Sequence, residues 1–126
     1  MKQFDIYAYN LQKGLANVTE ILAKNAINIK AISSENQTEE LVLIRIVTDD
    51  EKTTKKTLDI EKLNYKEREI ISVKLADRPG ELAKLTFKLA RAKIRIDSIY
   101  MLGKDMGWTE LALCVSDPKK AKAVLK

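Results

Sequence analysis

The architecture of this chain can be worked out from Ala76–Leu85, which reads Ala-Asp-Arg-Pro-Gly-Glu-Leu-Ala-Lys-Leu. Before this stretch, residues 70–75 alternate apolar and polar side chains, the period of a half-buried strand. After it, three leucines recur at helical spacing, and residues 94–97 then alternate again. The three leucines are Leu82, Leu85 and Leu89. The stretch therefore predicts a strand, a tight loop, a helix and a second strand.

Pro79 and Gly80 mark the start of the predicted helix. Proline fixes φ and lacks a donor at a position where no intrahelical partner exists, and glycine lets the backbone turn closely beside it. The first N–H groups of such a helix have no intrahelical acceptor and form its positive dipole end. A carboxylate can therefore bind there.

Length and composition describe a small globular chain. The 126 residues allow one ordinary domain or two very small ones, and 45% are hydrophobic while 33% are charged. No apolar run approaches the roughly 18 residues of a membrane span, and Met1–Asp5 begins a charged strand pattern rather than a signal peptide. We expect a cytoplasmic protein with no membrane partner.

Most site chemistries are excluded by the absence of histidine and by a single cysteine, Cys114. Cys/His zinc sites, Ser-His-Asp triads and Cys-His pairs all need residues that the chain lacks. Cys114 itself lies in the apolar run Leu111–Val115, which indicates a buried strand residue. We therefore expect no enzyme, no metal site and no cofactor.

The net charge of +5 and the pI near 9.3 raise the possibility of nucleic-acid binding. Much of this charge is lysine interleaved with glutamate, as in residues 51–56, which is typical of a solvated helix face. A related βαββαβ fold binds RNA on aromatic side chains of its two central strands. Tyr7 and Tyr9 fit that role, whereas Leu41–Arg45 carries no matching aromatic signature.

A shift of 67 positions superimposes one half of the chain on the other without a gap. Leu15-Ala16 fall on Leu82-Ala83, and Ile27 falls on Ile94. Further matched pairs are Thr19/Thr86, Leu22/Leu89, Ile29/Ile96, Ile32/Ile99, Asp50/Asp117 and Leu58/Leu125. One register over that length indicates a tandem duplication. We predict two domains, 1–67 and 68–126, each small for a stable core.

Each copy predicts an α+β unit of the ferredoxin-like βαββαβ type, an antiparallel sheet with both helices on one face. In the second copy, Asp117-Pro118 is a strong helix start, but the chain reaches residue 126 before a last strand. The second unit is therefore expected to lack that strand, which leaves an open edge. For the first copy, we predict strands at 4–8, 27–32, 41–47 and 65–68, a loop at 10–14 and a polar connection at 33–40. The first predicted helix carries the apolar stripe Leu15, Val18, Leu22 and Ala26. The second runs from Asp49 or Asp50 to about Lys62, with Asn64 as its left-handed exit.

The third strand of the first copy is apolar on both faces. With Val42, Ile44 and Ile46 toward the helices, the other face carries Leu41, Leu43, Arg45 and Val47, and the second copy places Trp108, Glu110, Ala112 and Cys114 there. A sheet face open to water alternates apolar with polar residues, and this one does not. We expect the face to be covered by sheet packing within or between chains, and we expect a homodimer.

A duplicated βαββαβ unit with Asp77–Leu82 between its first strand and helix, followed by Ala92–Ile96, resembles the ACT domain family. The Asp-Arg-Pro-Gly-x-Leu loop matches in full in the second copy, and the resemblance covers nearly the whole chain. Members of that family are small-molecule-sensing regulatory domains. They are attached to enzymes such as aspartate kinase and phosphoglycerate dehydrogenase, or they stand alone as tandem proteins.

The resemblance implies a free amino acid bound where two ACT units meet, between the first strand–helix loop of one unit and the start of the second strand in another. Two positions depart from the family pattern: Lys13 stands where the family has glycine, one residue before Gly14, and Arg95 stands where asparagine is common. The ligand-binding positions that the resemblance implies are Asn10, Lys13, Gly14, Leu15 and Asn28 in the first copy, and Asp77, Gly80, Glu81, Leu82 and Arg95 in the second.

The chemistry of an amino acid is compatible with these loops. Loop N–H groups at a helix start suit its carboxylate, and Asn10 or Asp77 offers acceptors for its ammonium group. The alternative interpretation is purely structural: Asn10 and Asp77 cap their helices, Gly80 makes the turn and Asn28 is a solvated strand residue. We favour a non-catalytic sensor that acts on a metabolic enzyme or regulator. A nucleic-acid-binding module and a ligand-free assembly module are the alternatives.

Overall fold

The computed structural model describes residues 1–126, which form seven strands and four helices. The chain divides into two compact units, one of Lys2–Arg68 and one of Glu69–Lys126 with Met1. The first unit contains β1 (Lys2–Tyr9), α1 (Gly14–Lys24), β2 (Ile29–Asn36), β3 (Leu41–Thr48), α2 (Glu51–Ile60) and β4 (Asn64–Glu69). The second contains β5 (Ile71–Ala76), α3 (Glu81–Arg91), β6 (Ile96–Asp105), β7 (Trp108–Val115) and α4 (Pro118–Val124).

The first unit is a four-stranded sheet in the order β2-β3-β1-β4, in which β3 pairs antiparallel with both β1 and β2. Alternate residues of β1 and β3 point toward the helices because successive strand side chains point to opposite faces. The core of this unit is formed by Phe4, Ile6, Val18, Leu22, Ile27, Val42, Ile44, Ile46 and Leu58. This is the predicted βαββαβ topology, with Val42, Ile44 and Ile46 on the predicted face.

The second unit has three strands in the order β5-β7-β6. Its core follows the shift of 67, since Leu85, Leu89 and Ile94 occupy the positions of Val18, Leu22 and Ile27. No strand lies beyond β5, so the predicted absence of the last strand is confirmed. None of the helices is long and apolar enough to cross a membrane.

Helix caps follow the sequence closely. Asp50, rather than Asp49, is the N-cap of α2 and accepts from Thr53 N at 3.0 Å, and Asp117 accepts from Lys120 N at the start of α4. The left-handed exit of α2 is Lys62, with φ 55°, and not Asn64, which already belongs to β4. The helix itself ends at Ile60, because Leu63 N turns back to donate to Leu58 O.

The apolar stripes of both first helices are narrower than predicted. Val18 and Leu22 are buried, but Leu15 is 37% exposed and Ala26 lies past the end of α1 with φ 55°. In α3 the corresponding position, Leu82, is 48% exposed while Leu85 and Leu89 are buried. The buried residues of α1 are Gly14, Val18 and Leu22, so the place of Leu15 in the predicted stripe was wrong. Leu82 keeps the predicted helical spacing but lies outside the core.

The β2–β3 connection is shorter than predicted. The segment 33–40 was expected to be loop, but β2 continues to Asn36, which pairs with Val42, so the connection is only 37–40. Polar residues at 33–36 hid this strand from a search for apolar alternation. The face of β3 that points away from the helices carries Leu43, Arg45 and Val47. Leu43 and Val47 are buried there, as expected for a covered face, and Arg45 forms an ion pair with Glu35 at 2.8 Å.

Candidate functional site

Asn10 shapes the loop between β1 and α1. Its φ of 79° is left-handed, and its Oδ1 accepts from the backbone N–H of both Gln12 and Lys13 at 3.1 Å. Asn10 therefore stabilises the loop rather than capping the helix, since the N-cap of α1 is Lys13, and the capping role that the sequence offered for Asn10 was wrong. Because the side-chain oxygen is already used, the part of Asn10 left for a ligand is its amide NH₂ group, a donor rather than the expected acceptor.

At the start of α1, Gly14 and Leu15 differ in burial, and Lys13 provides no side-chain cap. Lys13 is the N-cap and supplies no side-chain cap, so the N–H groups of Leu15 and Ala16 stay at the positive end of the helix. Gly14 is buried, and a Cβ there would come within 3.0 Å of a Val42 methyl carbon. Gly14 thus lets the helix approach the sheet, whereas Leu15 presents a half-exposed apolar side chain.

An open cavity of about 370 Å³ lies beside this loop. Glu40 reaches it because Asn10 N donates to Glu40 O at 3.0 Å, across the same end of the sheet where Tyr9 pairs with Leu41. The cavity is lined by Tyr9, Asn10, Leu11, Gln12, Glu39 and Glu40. Its lining therefore includes two residues with amide side chains, Asn10 and Gln12, and two acidic residues, Glu39 and Glu40. The carboxylates were not predicted; the register of β1 with β3 is the signal that would have found them.

Asn28 does not join Asn10 within one unit. Its backbone N–H donates to Asp49 Oδ1 and its carbonyl accepts from Asp49 N, both at 3.1 Å, at the far end of β3. Since β3 has eight residues, the two ends of the strand are about 24 Å apart. A ligand that contacts both asparagines would need the Asn10 loop of one unit and the Asn28 segment of another.

The matching loop of the second unit places Asp77 away from the helix start. Its Oδ2 lies 2.9 Å from Lys104 Nζ, and its backbone N–H donates to Gly107 O at 2.9 Å. The N-cap of α3 is instead Gly80, with φ 90° and no side-chain cap. The capping role that the sequence offered for Asp77 was therefore wrong, whereas the turn role of Gly80 was right.

Glu81, the first residue of α3, forms hydrogen bonds with two basic side chains. Its Oε1 accepts from Arg78 Nε at 2.9 Å and from Lys84 Nζ at 3.3 Å. These two hydrogen bonds, with Arg78 the larger cause, hold the pKa of Glu81 below its ordinary value. Glu81 is therefore ionised at neutral pH but already paired, while Leu82 beside it is half exposed.

Arg95 repeats the position of Asn28 in the second unit. Its backbone N–H donates to Ser116 Oγ and its carbonyl accepts from Ser116 N, both at 2.9 Å. Ser116 therefore bonds the backbone of Arg95 in the way that Asp49 bonds the backbone of Asn28. The guanidinium binds Asp97 Oδ1 at 2.6 Å. Like Asn28, Arg95 lies at the end of the sheet opposite its own loop, so the unit does not bring Asp77 and Arg95 together.

Lys104 of β6, the ion-pair partner of Asp77, also lines an open cavity of about 400 Å³. The cavity lies over the sheet face where Lys74 of β5 pairs with Glu110 of β7. Its lining residues are Lys74, Gly103, Lys104, Asp105, Trp108 and Glu110. The lining comes from β5, β6 and β7 and contains no residue of the second loop, so this cavity meets that loop only through the ion pair of Lys104 with Asp77.

No protein-family model matches the sequence, and no curated protein matches it. Solved structures do match, over 98% of the chain. Protein BT0572 from Bacteroides thetaiotaomicron is 24% identical with a TM-score of 0.88, and the match covers 85% of that chain. The regulatory subunit of aspartate kinase from Thermus thermophilus, in its ligand-free form, is 17% identical with a TM-score of 0.71 over 87% of its chain. A structure of aspartokinase alpha and beta subunits is 16% identical with a TM-score of 0.67 over 88% of its chain. The chain therefore has the tandem ACT-type fold that the regulatory subunit of aspartate kinase also has.

Proposed function

We propose that this chain is a non-catalytic regulatory protein that binds a free amino acid at the interface between ACT units. The observation that carries the proposal is the cavity beside the β1–α1 loop, lined by Asn10 in a chain of tandem ACT-type fold. A cytoplasmic location, a homodimer and a metabolic enzyme or regulator as the target belong to the same proposal.

The groups around the first loop complement an amino-acid zwitterion. The N–H groups of Leu15 and Ala16 and the amide of Asn10 supply donors for a carboxylate at a helix start. Glu39 and Glu40 line the cavity together with Asn10 and supply acceptors for an ammonium group, while Leu15 and Ala16 lie outside that lining, at the helix start that follows the loop. Leu11, which also lines the cavity, adds apolar surface for the ligand side chain. The first loop therefore supports the ligand better than the second, where Asp77 and Glu81 are both ion-paired.

The separation of Asn10 from Asn28 supports a regulatory role. If both asparagines contact one ligand, then two units must be brought side by side to complete the site. A ligand that binds only this paired state stabilises it by mass action. The concentration of the amino acid would then set the amount of paired state, and with it the surface offered to a target.

The nucleic-acid alternative receives less support. Tyr7 and Tyr9 face Leu43 and Leu41 on the neighbouring strand β3, so the two central strands present tyrosine beside leucine. Lys66 Nζ also lies 5.9 Å above the ring of Tyr7 and occupies one face of it. Base stacking of the RNA-binding type uses open aromatic faces on both strands.

The experiment is a thermal-shift screen of the twenty amino acids at millimolar concentration, with the sedimentation mass measured with and without each hit. We expect one amino acid, or a few of related chemistry, to raise Tm and to increase the mass. Asn10→Ala should abolish the shift, while Asn64→Ala, the same change on β4 outside the cavity, should keep it. A ligand whose shift survives Asn10→Ala but not Asp77→Ala would move the site to the second unit.

Two other results would each favour one of the alternative functions. If no amino acid raises Tm and the mass is constant, the sensor proposal fails and a ligand-free assembly module is favoured. Strong binding of an RNA oligonucleotide that weakens steeply with salt would instead favour the nucleic-acid module, because phosphate contacts release counterions.

A further inference from the structure

The cavity that Trp108 and Lys104 line in the second unit has the size of a small-molecule site. Its volume is about 400 Å³, and pockets of this order hold metabolites and cofactors. Four of its six lining residues lie between Gly103 and Trp108, where β6 turns into β7. We call it the Trp108 cavity. None of its residues belongs to the proposed amino-acid site.

Gly103 leaves a gap in the wall of the Trp108 cavity. A Cβ at this position would meet no atom within 4 Å, and the φ of Gly103 is not left-handed. Neither crowding nor backbone conformation therefore requires a glycine here. A register irregularity between Met101 and Gly103 places the glycine opposite Glu110 of β7. The space that a side chain would fill at this position is open to a ligand.

Two acidic residues and one indole surround this gap. Glu110 is directly opposite Gly103, and Asp105 lies two residues further along β6. Trp108 is opposite Asp105 and so diagonal to Gly103. Paired residues and residues two apart on a strand share a sheet face, and diagonal positions about 7–8 Å apart are within reach of an aromatic ring. A group in the gap therefore has two carboxylates and an indole as neighbours.

These neighbouring groups are available to a ligand. The Trp108 side chain is 54% exposed. Glu110 forms no ion pair, although Lys74 of β5 is its cross-strand neighbour. Asp105 accepts from Met106 N at 2.7 Å through Oδ1, which leaves Oδ2 for a ligand.

The two lysines of the Trp108 cavity do not neutralise the gap. Lys104 Nζ lies 2.9 Å from Asp77 Oδ2, and Asp77 is outside the cavity lining, so the charge of this lysine is already compensated. Lys74 and Gly103 flank Glu110 from opposite sides, because β7 is the middle strand of the sheet. The groups nearest to the gap are therefore acidic and aromatic.

We propose that the Trp108 cavity binds a small organic cation, an alkylammonium compound whose charged group enters the gap at Gly103. The carboxylates of Glu110 and Asp105 would attract the charge, and the alkyl groups around the nitrogen would contact the face of the Trp108 ring in a cation–π interaction. All of these groups belong to one unit of one chain. The site is therefore separate from the amino-acid site at the β1–α1 loop and does not depend on it.

The chain has a single tryptophan, so its fluorescence reports directly on this cavity. The probe is choline, and the control compound is neohexanol, in which a carbon atom replaces the charged nitrogen. At constant ionic strength, choline should give a saturable change in tryptophan emission. Neohexanol should bind at least about fivefold more weakly, since it keeps the shape but loses the charge.

Variants of the full chain test each part of the site. Gly103→Leu should abolish the choline response without unfolding the chain, because nothing crowds this position. Glu110→Gln should weaken choline binding by about fivefold, whereas Lys74→Met should strengthen it by removing a positive charge beside Glu110. Glu61→Gln, the same change at an exposed position of the first unit, should stay within about twofold.

Several results would overturn the proposal. The absence of a saturable change at tens of millimolar choline would do so, as would equal binding of choline and neohexanol. A response that survives Gly103→Leu would place the ligand elsewhere, and weaker binding in Lys74→Met would show that the cavity prefers an anionic group. Asn10→Ala should leave the choline titration unchanged, so a failed amino-acid screen and a failed choline titration are distinguishable.

Discussion

The Asp77 carboxylate lies 2.9 Å from the Lys104 ammonium group, and this ion pair joins the β5–α3 loop to β6. The loop is also joined by its backbone, through the hydrogen bond from Asp77 N to Gly107 O. Asp77 therefore positions the loop from the sheet side and leaves the first turn of α3 to Gly80 and Glu81. Lys104 holds Oδ2, so a ligand would bind the carboxylate through Oδ1, or through Oδ2 only after the ion pair opens.

We expect Asp77→Ala to change the free energy of unfolding by less than about 1 kcal/mol, because both partners of the ion pair are about half exposed. Urea denaturation of the wild type, Asp77→Ala and Lys104→Ala measures this. The two single variants should lose similar amounts. A loss of more than about 2 kcal/mol for Asp77→Ala would show that the carboxylate has a buried structural role instead.

Leu15 and Leu22 lie on the same predicted stripe but should respond very differently to truncation. Leu22 is fully buried, so Leu22→Ala should lower the free energy of unfolding by about 2–5 kcal/mol. Leu15 is 37% exposed at the start of α1, so Leu15→Ala should cost about 1 kcal/mol or less. Denaturant unfolding of both variants is the measurement, and equal losses would contradict the position of Leu15.

This pair of leucines shows which part of the fold is open to prediction from the sequence. The elements, their order and the missing strand were predicted from the spacing of hydrophobic residues, from the Asp117-Pro118 helix start and from the repeat at a constant shift of 67 positions. Period alone does not say which residue of the first turn faces the sheet. At the start of α1 that residue is Gly14, which is buried against Val42 and Ala8, and Leu15 lies one residue, about 100° of helix rotation, away from it. Leu15 was misplaced for that reason, and Ser33–Asn36 was missed because its side chains are polar.

The site was predictable only where it is local in sequence. Asn10, Lys13 and Leu15 are close in sequence, in the β1–α1 loop and the first turn of α1, and the structure keeps them together. Glu40 joins that loop through the pairing of β1 with β3, and Lys104 reaches Asp77 across the second sheet. Both contacts depend on strand register, which a single sequence specifies weakly when the outward residues are mixed.

Gly14 should be required for packing. A Cβ at this position would lie 3.0 Å from Val42 Cγ1 and 3.1 Å from Ala8 Cβ, so Gly14→Ala should lower the free energy of unfolding by about 1–3 kcal/mol. The matched control is Gly103→Ala in β6, where no atom lies within 4 Å of the added carbon. The control should stay within about 0.5 kcal/mol of the wild type, and a similar result for Gly14→Ala would contradict the close approach of α1 to the sheet.

Tyr65 should titrate well above an ordinary tyrosine. Its Oη donates to Asp59 Oδ1 at 2.5 Å, and this hydrogen bond, with some desolvation, raises the pKa of Tyr65 to about 12. Because the folded pKa lies above the ordinary value of 10, the stability that the hydrogen bond contributes is fully present below pH 10 and is lost as the pH rises toward 12. Ultraviolet titration measures the phenol directly, and Tyr65→Phe identifies its contribution.

Asp59→Asn should return the pKa of Tyr65 toward 10, and the difference in unfolding free energy between wild type and Asp59→Asn should shrink over the same pH range. An unchanged titration in Asp59→Asn would mean that burial against Phe4, rather than the carboxylate, holds the proton.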